Sequence, residues 1–220
     1  MKISKTMQDK IEFEYLNPDM KVKIGVMGSA GGKMTKVIKE KAFRLGQAIA
    51  RHDCVLVTGA CPGLPYETAR GAKSANGFVL GISPGLSLEE HLIKYNSPAA
   101  SHDILVFTGS GLMGREITNI RTCDIVVIMG GRSGTLGEFS IAYDEGKLIG
   151  VLQGTGGISD AIDDILNAIY KKTGSQVIKE TDPDKLMEKL LYYYKKYGKK
   201  PKDFFQKGWQ DRKFLFDASL

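Results

Sequence analysis

One stretch of the sequence combines a short apolar run, a glycine-rich loop and a threonine–glutamate pair. The apolar run covers residues 125–129, the loop covers residues 130–134, and Thr135 and Glu138 follow. Because the run is short and β-branched, it predicts a strand buried on both faces. Thr135 and Glu138 have the spacing of a capping box, so a helix is predicted to begin at Thr135. This arrangement would present free backbone N–H groups to an anion, although an ordinary strand-to-helix turn also uses glycine for its backbone angles.

Loops of small residues follow three other predicted strands, at residues 28–32, 58–65 and 108–111. The first loop is not a Walker A motif, because Lys33 is followed by Met34. It is not a dinucleotide fingerprint either, since Ala30 occupies the second glycine position. We interpret these loops as candidate pocket walls, while turn geometry alone would also explain their glycines. The residues predicted to line the pocket here are Gly28, Ser29, Gly59 and Gly63.

Predicted strands and helices alternate along most of the chain. The strands are predicted at about residues 22–27, 54–57, 78–82, 104–107, 125–129, 148–152 and 176–178. The helices are predicted at about residues 35–51, 66–75, 112–122, 135–144, 158–172 and 182–197. This alternation predicts an α/β fold of the Rossmann-like type, a three-layer structure with a parallel sheet and helices on both faces. Ligands in such sheets bind at the carboxyl ends of the strands, where the glycine loops are expected to meet.

The predicted sheet leaves three segments unassigned. Residues 83–101 show no clear period, and a loop of that length is often a substrate lid or wall. Residues 1–20 are predicted to be an N-terminal extension, residues 21–198 the Rossmann-like domain, and residues 199–220 a basic and aromatic tail. The tail would dock on its own domain or on a partner subunit, or else bind nucleic acid. Docking is favoured because Asp203, Asp211 and Asp217 offset the basic residues.

The composition is that of an ordinary globular protein, with 42% hydrophobic and 25% charged residues among 220. No apolar run is long enough to span a bilayer, so a cytoplasmic protein without membrane contact is predicted. The net charge of +6 comes largely from lysines in the C-terminal third, which makes a nucleic-acid groove an unlikely explanation. A positive field would also suit a phosphorylated metabolite.

The cysteines and histidines do not show the spacing of a metal site. The three cysteines include no C-x-x-C pair, and the three histidines are isolated from one another. Cys54 and Cys123 flank apolar strands and are predicted to be buried free thiols, whereas Cys61 lies in a glycine–proline loop that favours exposure. We therefore predict neither a metal nor a cofactor.

Residues 115–138 resemble the LOG family of nucleoside 5′-monophosphate phosphoribohydrolases. The resemblance rests on R-E-I-T-N-I-R-T-C-D, the strand I-V-V-I-M and the loop G-G-R-S-G-T-L-G-E, and it extends over about residues 23–152. The loop keeps Gly131, Gly134, Thr135 and Glu138 of the family pattern. Differences at Gly130, Arg132 and residues 113–116 bring the sequence closer to a branch that includes a molybdenum-cofactor carrier protein. Members have also been described as lysine decarboxylases, but no lysine here has the context of a pyridoxal-type Schiff base.

The resemblance implies hydrolysis of the N-glycosidic bond of a nucleoside 5′-monophosphate. Glu138 and Arg115 match the catalytic pair of the family, although a helix cap and a solvated helix charge would also account for them. Glu138 would be kept ionised by the helix N-terminus and would stabilise an oxocarbenium-like transition state. The residues expected to bind the phosphate are Gly130, Gly131, Arg132, Ser133, Gly134 and Thr135. Arg121 is a further anion contact, or else a structural partner of Asp124.

Two other classes of function stay open at this stage. The same pocket would also suit a carrier or sensor that binds a nucleotide or a pterin phosphate without turning it over. A nucleic-acid-associated sensor is the other class, supported only by the basic charge. The resemblance further implies a homo-oligomer, a dimer or larger, with the site completed near the subunit interface.

Overall fold

The computed structural model describes residues 20–197. Within it, residues Lys21–Leu191 form one compact unit. The predicted extension and tail lie outside the described residues except for Met20. The division of the chain at residues 20 and 198 therefore stays a prediction.

The described residues contain a seven-stranded sheet in which every pairing is parallel. Its strands are β1 (Lys23–Gly28), β2 (Val55–Thr58), β3 (Phe78–Ser83), β4 (Ile104–Phe107), β5 (Ile125–Met129), β6 (Leu148–Leu152) and β7 (Gln176–Glu180). They lie in the order β4-β3-β2-β1-β5-β6-β7. The α/β, Rossmann-like fold predicted from the alternation of elements is confirmed.

Helices connect most of these strands. They are α1 (Lys36–Arg51), α2 (Leu64–Ser74), α3 (Gly111–Thr122), α4 (Ser133–Asp144), α5 (Ile162–Ile169) and α6 (Pro183–Tyr197). A helix is predicted over residues 158–172 and is found as α5, but it is shorter at both ends, and a separate turn of 3-10 helix (Gly157–Ser159) precedes it. A turn of π-helix (Glu90–Lys94) lies within the segment 83–101, whose sequence shows no clear period and predicts a loop.

The core is centred on β1 and β5. Every residue of β5 is buried, as the run of β-branched residues predicts for a central strand of a parallel sheet. The strand order reverses between β1 and β5, because β2 to β4 extend to one side of β1 and β5 to β7 to the other. Gly28 and Met129 pair at the carboxyl ends of these two strands. The crevice at such a reversal is the place where sheets of this kind bind ligands.

Helix α4 begins before the residue that the capping-box pattern indicates. Arg132 is its N-cap, in an extended conformation and without a side-chain cap hydrogen bond, and the helix starts at Ser133. Thr135 is buried inside the first turn instead of capping it. The capping-box prediction is wrong, and Glu138 consequently has no capping partner in Thr135.

Candidate active site at the β1–β5 crevice

A cavity of about 370 Å³ opens at the carboxyl ends of β1 and β5. The loops after β1 and β2, the first two turns of α3 and the start of α4 form its walls. The residues that line it are Val26, Met27, Gly28, Ser29, Ala30, Gly59, Cys61, Pro65, Leu112, Arg115, Glu116, Arg132, Ser133, Gly134, Thr135 and Glu138. The cavity thus gathers most of the predicted site residues.

The backbone N–H groups of the glycine pair after β5 make hydrogen bonds within the protein. The N–H of Gly130 donates to Thr155 Oγ1 at 2.8 Å and to Ser159 Oγ at 3.0 Å. The N–H of Gly131 donates to Ser29 Oγ at 2.7 Å. Both N–H groups are therefore already engaged, and neither glycine lines the cavity. The structure does not place Gly130 and Gly131 as the phosphate ligands that the sequence predicts.

The first turn of α4 forms the wall of the cavity that is suited to bind an anion. The N–H groups of Ser133, Gly134 and Thr135 have no acceptor within the helix, as in the first turn of any α-helix. Arg132 and Ser133 are exposed at the rim, while Thr135 is buried. Free N–H groups, a hydroxyl and a guanidinium together form an anion-binding arrangement.

A buried ion pair lies deeper in the cavity. Arg115 Nη1 of α3 is 3.5 Å from Glu138 Oε1 of α4, and both residues are more than nine-tenths buried. The Arg115 Nε has no hydrogen-bond partner among residues 20–197. Arg115 also lines the cavity, so its guanidinium is suited to bind an acceptor supplied by a ligand.

Gly59 makes room for this arginine. A Cβ built at position 59 would overlap the Arg115 guanidinium. Gly28 serves a similar purpose between strands, because a Cβ there would overlap the carbonyl oxygen of Met129. Both glycines are required for the close approach of other groups, and both line the cavity.

The pKa of Glu138 is raised to about 7, chiefly by burial; Arg115 opposes this shift, the charge of Glu116 adds to it, and a hydrogen bond from Asn119 opposes it. The expectation that the helix N-terminus keeps Glu138 ionised is therefore not met. Glu138 lies in the second turn of α4, where the helix dipole is weak compared with desolvation. A carboxyl group that titrates near neutral pH is suited to general acid–base chemistry.

Two ionisable side chains of the cavity were missed in the sequence. Glu116 follows Arg115 on α3 and is also buried. Cys61 lies in the loop after β2, where burial raises its thiol pKa to about 11 and Arg115 opposes the shift. Cys61 is accordingly a neutral thiol at pH 7. Glu116 is next to Arg115 in the sequence and Cys61 follows a predicted strand, and these positions were the only signals that either residue belongs to the site. Neither residue type forms a motif by itself.

Besides Gly130 and Gly131, two predicted residues lie outside the cavity. Gly63 caps α2 with a positive φ, and a Cβ there would overlap the carbonyl of Ser29, so it packs two loops together. Arg121 forms an ion pair with Glu145 at 2.7 Å and is largely exposed. Asp124 pairs with Lys23 instead, also at 2.7 Å.

The described residues contain neither a cluster suited to a metal ion nor a helix that could cross a membrane. Within residues 20–197, no group of three or more His, Cys, Asp or Glu side chains is arranged to hold a metal ion. No helix in the same range is long and apolar enough to cross a membrane.

A Rossmann-like parallel sheet with a polar cavity at the reversal of strand order defines a class of ligand-binding α/β proteins. Within that class, the chain belongs to the SLOG cluster4 family, whose model matches residues 21–187. This match confirms the resemblance to LOG-like proteins that the loop and α3 residues indicated.

Individual relatives agree with this assignment. An uncharacterized protein of Archaeoglobus fulgidus is 31% identical over 132 residues, which is 60% of this chain and 80% of the relative. The structure of a molybdenum cofactor binding protein from Rippkaea orientalis is 30% identical with a TM-score of 0.65, covering 79% of this chain and 98% of that one. The molybdenum cofactor carrier protein of Chlamydomonas reinhardtii is 27% identical with a TM-score of 0.62, covering 78% and 99%.

Proposed function

We propose that the protein hydrolyses the N-glycosidic bond of a nucleoside 5′-monophosphate to give the free base and ribose 5-phosphate. The buried Arg115–Glu138 pair facing the cavity is the observation that carries this proposal. Both residues match the catalytic pair implied by the resemblance to LOG proteins. Family membership supports a nucleotide-related ligand, and the geometry of the pair supports its turnover.

The proposed reaction breaks the bond between C1′ of the ribose and the nitrogen of the base. Water adds its hydroxyl to C1′, and its proton balances the departing base. The transition state resembles an oxocarbenium ion, which a nearby carboxylate stabilises. Glu138 in its ionised form would stabilise this charge and orient the water, while Arg115 would bind a ligand oxygen through the part of its guanidinium that lines the cavity.

The start of α4 would bind the 5′-phosphate. Its N–H groups at Ser133, Gly134 and Thr135 have no acceptor within the helix and are suited to bind an anion, and Arg132 adds a positive charge at the rim. The hydroxyl of Ser29 lines the same wall. Such a metabolite agrees with the cytoplasmic location predicted from the sequence.

A carrier that binds its ligand without turnover is the second candidate. Two structures with 27% and 30% identity are those of proteins named for carrying or binding the molybdenum cofactor. The same anion-binding wall would accept the phosphate of a pterin cofactor. In that case Glu138 would contribute to binding alone.

Product analysis separates the two candidates. Purified protein is incubated with AMP, GMP, CMP and UMP and with the matching nucleosides, and the products are resolved by chromatography. A phosphoribohydrolase releases free base and ribose 5-phosphate from a monophosphate and leaves the nucleoside intact. If every monophosphate is recovered intact although it binds measurably, the hydrolase proposal is wrong and the carrier is the supported function.

We also propose that the protein is a homo-oligomer, because one surface of the unit is unusually apolar. Its exposed residues are Leu86, Leu88, Leu92, Ile93, Ile104, Val106, Phe107, Leu112, Met113 and Ile117. The segments that carry them are connected, since Gly109 and Gly111 donate to the carbonyls of Gly85 and Pro84. Exposed apolar surface of this kind marks an interaction site. Leu112 also lines the cavity, so a second copy on this surface would adjoin the site.

A further inference from the structure

Glu116 places a second carboxylate in the cavity wall beside the Arg115–Glu138 pair. The residue is 8% exposed, and it lines the cavity from α3. Among residues 20–197, its carboxylate makes no hydrogen bond or ion pair within contact distance. Arg115, the neighbouring cation, is directed toward Glu138 and Gly59 instead.

The fold reserves space for this carboxylate. A Cβ at Gly134 would lie 3.6 Å from Glu116 Oε1, and a Cβ at Gly137 would lie 3.2 Å from Oε2. Small residues on α4 therefore let the carboxylate lie against the helix. Burial raises the pKa of Glu116, and Arg115 opposes the shift. The fully buried side-chain atoms without a partner among residues 20–197 do not include the Glu116 oxygens, so these oxygens are open to the cavity and free to accept N–H donors from a ligand.

The required donors differ among nucleobases. The two oxygens of a carboxylate accept two parallel N–H bonds, which is why carboxylates pair well with forked donors. Guanine presents its N1–H beside its 2-amino group, whereas adenine presents a donor beside an acceptor. Hypoxanthine has the N1–H but no amino group. Uracil and cytosine each lack the two adjacent donors.

We infer that Glu116 selects ligands whose ring carries a 2-amino-4-oxopyrimidine edge, with the ring N–H (N1–H in guanine, N3–H in a pterin) and the amino group both donating to its carboxylate. This inference rests on the proposed binding of a nucleotide-like ligand in the cavity. Guanine and pterin rings share this edge, so the inference applies to the hydrolase and to the carrier alike. Glu116 is a specificity residue and takes no part in bond cleavage.

The experiment is a calorimetric titration of the full chain with GMP, IMP, AMP and neopterin. IMP differs from GMP only by the missing amino group, and neopterin carries the same edge on a pterin ring. We expect GMP or neopterin to bind at least tenfold more tightly than IMP and AMP. The tighter of the two identifies the ring system, and either result supports the inference.

Glu116→Gln provides the decisive comparison. A glutamine offers one acceptor and one donor, which matches the adenine edge and not the guanine edge. The variant is expected to lose at least tenfold in affinity for GMP or neopterin and to gain affinity for AMP. A merely structural role would weaken all ligands together. Glu145→Gln removes the same charge from a residue that pairs with Arg121 outside the cavity, and it should leave every affinity unchanged.

Different results would contradict the specificity role of Glu116 and the proposed hydrolase activity. Equal affinities for GMP and IMP, with base release intact, would overturn the specificity role and leave the hydrolase standing. Equal losses for all ligands in Glu116→Gln would overturn it as well. Failure of every nucleotide and of neopterin to bind would overturn both proposals. Thermal unfolding of each variant confirms that the fold is retained.

Discussion

At the scale of single residues, Glu138 determines the pH dependence that the site should show. Its pKa is raised to about 7, chiefly by burial. If its ionised form stabilises the ribosyl cation, kcat/KM should fall about tenfold for each pH unit below 7. A pH–rate profile measured with a nucleoside monophosphate gives this result directly. A flat acidic limb between pH 5 and pH 7 would show that the carboxylate of Glu138 is not required.

The same shift predicts a change in stability. Between pH 4.5 and about 7 the folded state retains a proton on Glu138 that the unfolded state has lost, so stability falls as pH rises through this window. The difference amounts to about 3 kcal/mol at most. Denaturant unfolding at pH 5 and pH 8 should show a loss in the wild type that is smaller in Glu138→Gln. An equal loss in both proteins would contradict the assignment.

Gly59 is the glycine whose replacement should affect Arg115 most directly. The methyl group of Gly59→Ala would overlap the guanidinium and displace it from Glu138. We expect base release to fall at least 100-fold, in the range seen when a charged catalytic contact is lost. Gly31→Ala is the matched control, since its Cβ would lie 3.7 Å from Arg132 Nη2, an ordinary contact. Similar activities of the two variants would show that Arg115 is not needed where the structure places it.

At the scale of elements, the loop after β5 depends on the turn that precedes α5. Thr155 accepts from the N–H of Gly130 and donates to the carbonyl of Leu152 at 2.6 Å. Thr155→Val should lower the free energy of unfolding by about 1–3 kcal/mol, because buried polar groups lose partners. It should also weaken nucleotide binding, since this loop leads into α4. Thr122→Val, which removes an exposed hydroxyl, should change the free energy of unfolding by less than about 0.5 kcal/mol. Equal unfolding free energies for both variants would contradict the role of Thr155.

The sequence predicts the elements better than it predicts their ends. The apolar runs such as residues 125–129 determine the strands, because a central parallel strand has to be buried on both faces. The start of α4 escapes prediction, since Gly131 with its positive φ and the extended Arg132 begin the helix before Thr135. These backbone angles depend on hydrogen bonds that the N–H groups of Gly130 and Gly131 donate to Thr155 and Ser29, which are distant in sequence.

The sequence likewise predicts only some of the residues of the site. Arg115 and Glu138 are identified from the sequence because their types and spacing match a family pattern. Glu116 is not, since adjacent helical residues point about 100° apart and nothing local shows that both face the cavity. The pKa of Glu138 also depends on the surrounding burial, which the sequence does not display.

At the scale of the whole molecule, the exposed apolar surface of β4, α3 and residues 86–93 predicts self-association. Met113 is 78% exposed on α3, and Ile117, which is 44% exposed, lies one turn further along on the same face. Met113→Glu combined with Ile117→Glu should shift the protein from an oligomer to a monomer in light scattering, because burying charges in an apolar interface is costly. Val37→Glu, at an apolar residue of α1 that is 67% exposed, is the control and should leave the mass unchanged. A wild-type protein that is monomeric at micromolar concentration would contradict this proposal.

The proposed hydrolysis is tested most directly by the rate of ribose 5-phosphate formation from a nucleoside monophosphate, measured for the wild type and for Glu138→Gln. The wild type should release base and ribose 5-phosphate in equal amounts. The variant should be at least 100-fold slower while still binding the ligand. Glu145→Gln, which removes a carboxylate outside the cavity, should keep the full rate. Undiminished hydrolysis in Glu138→Gln would contradict the central role of the Arg115–Glu138 pair.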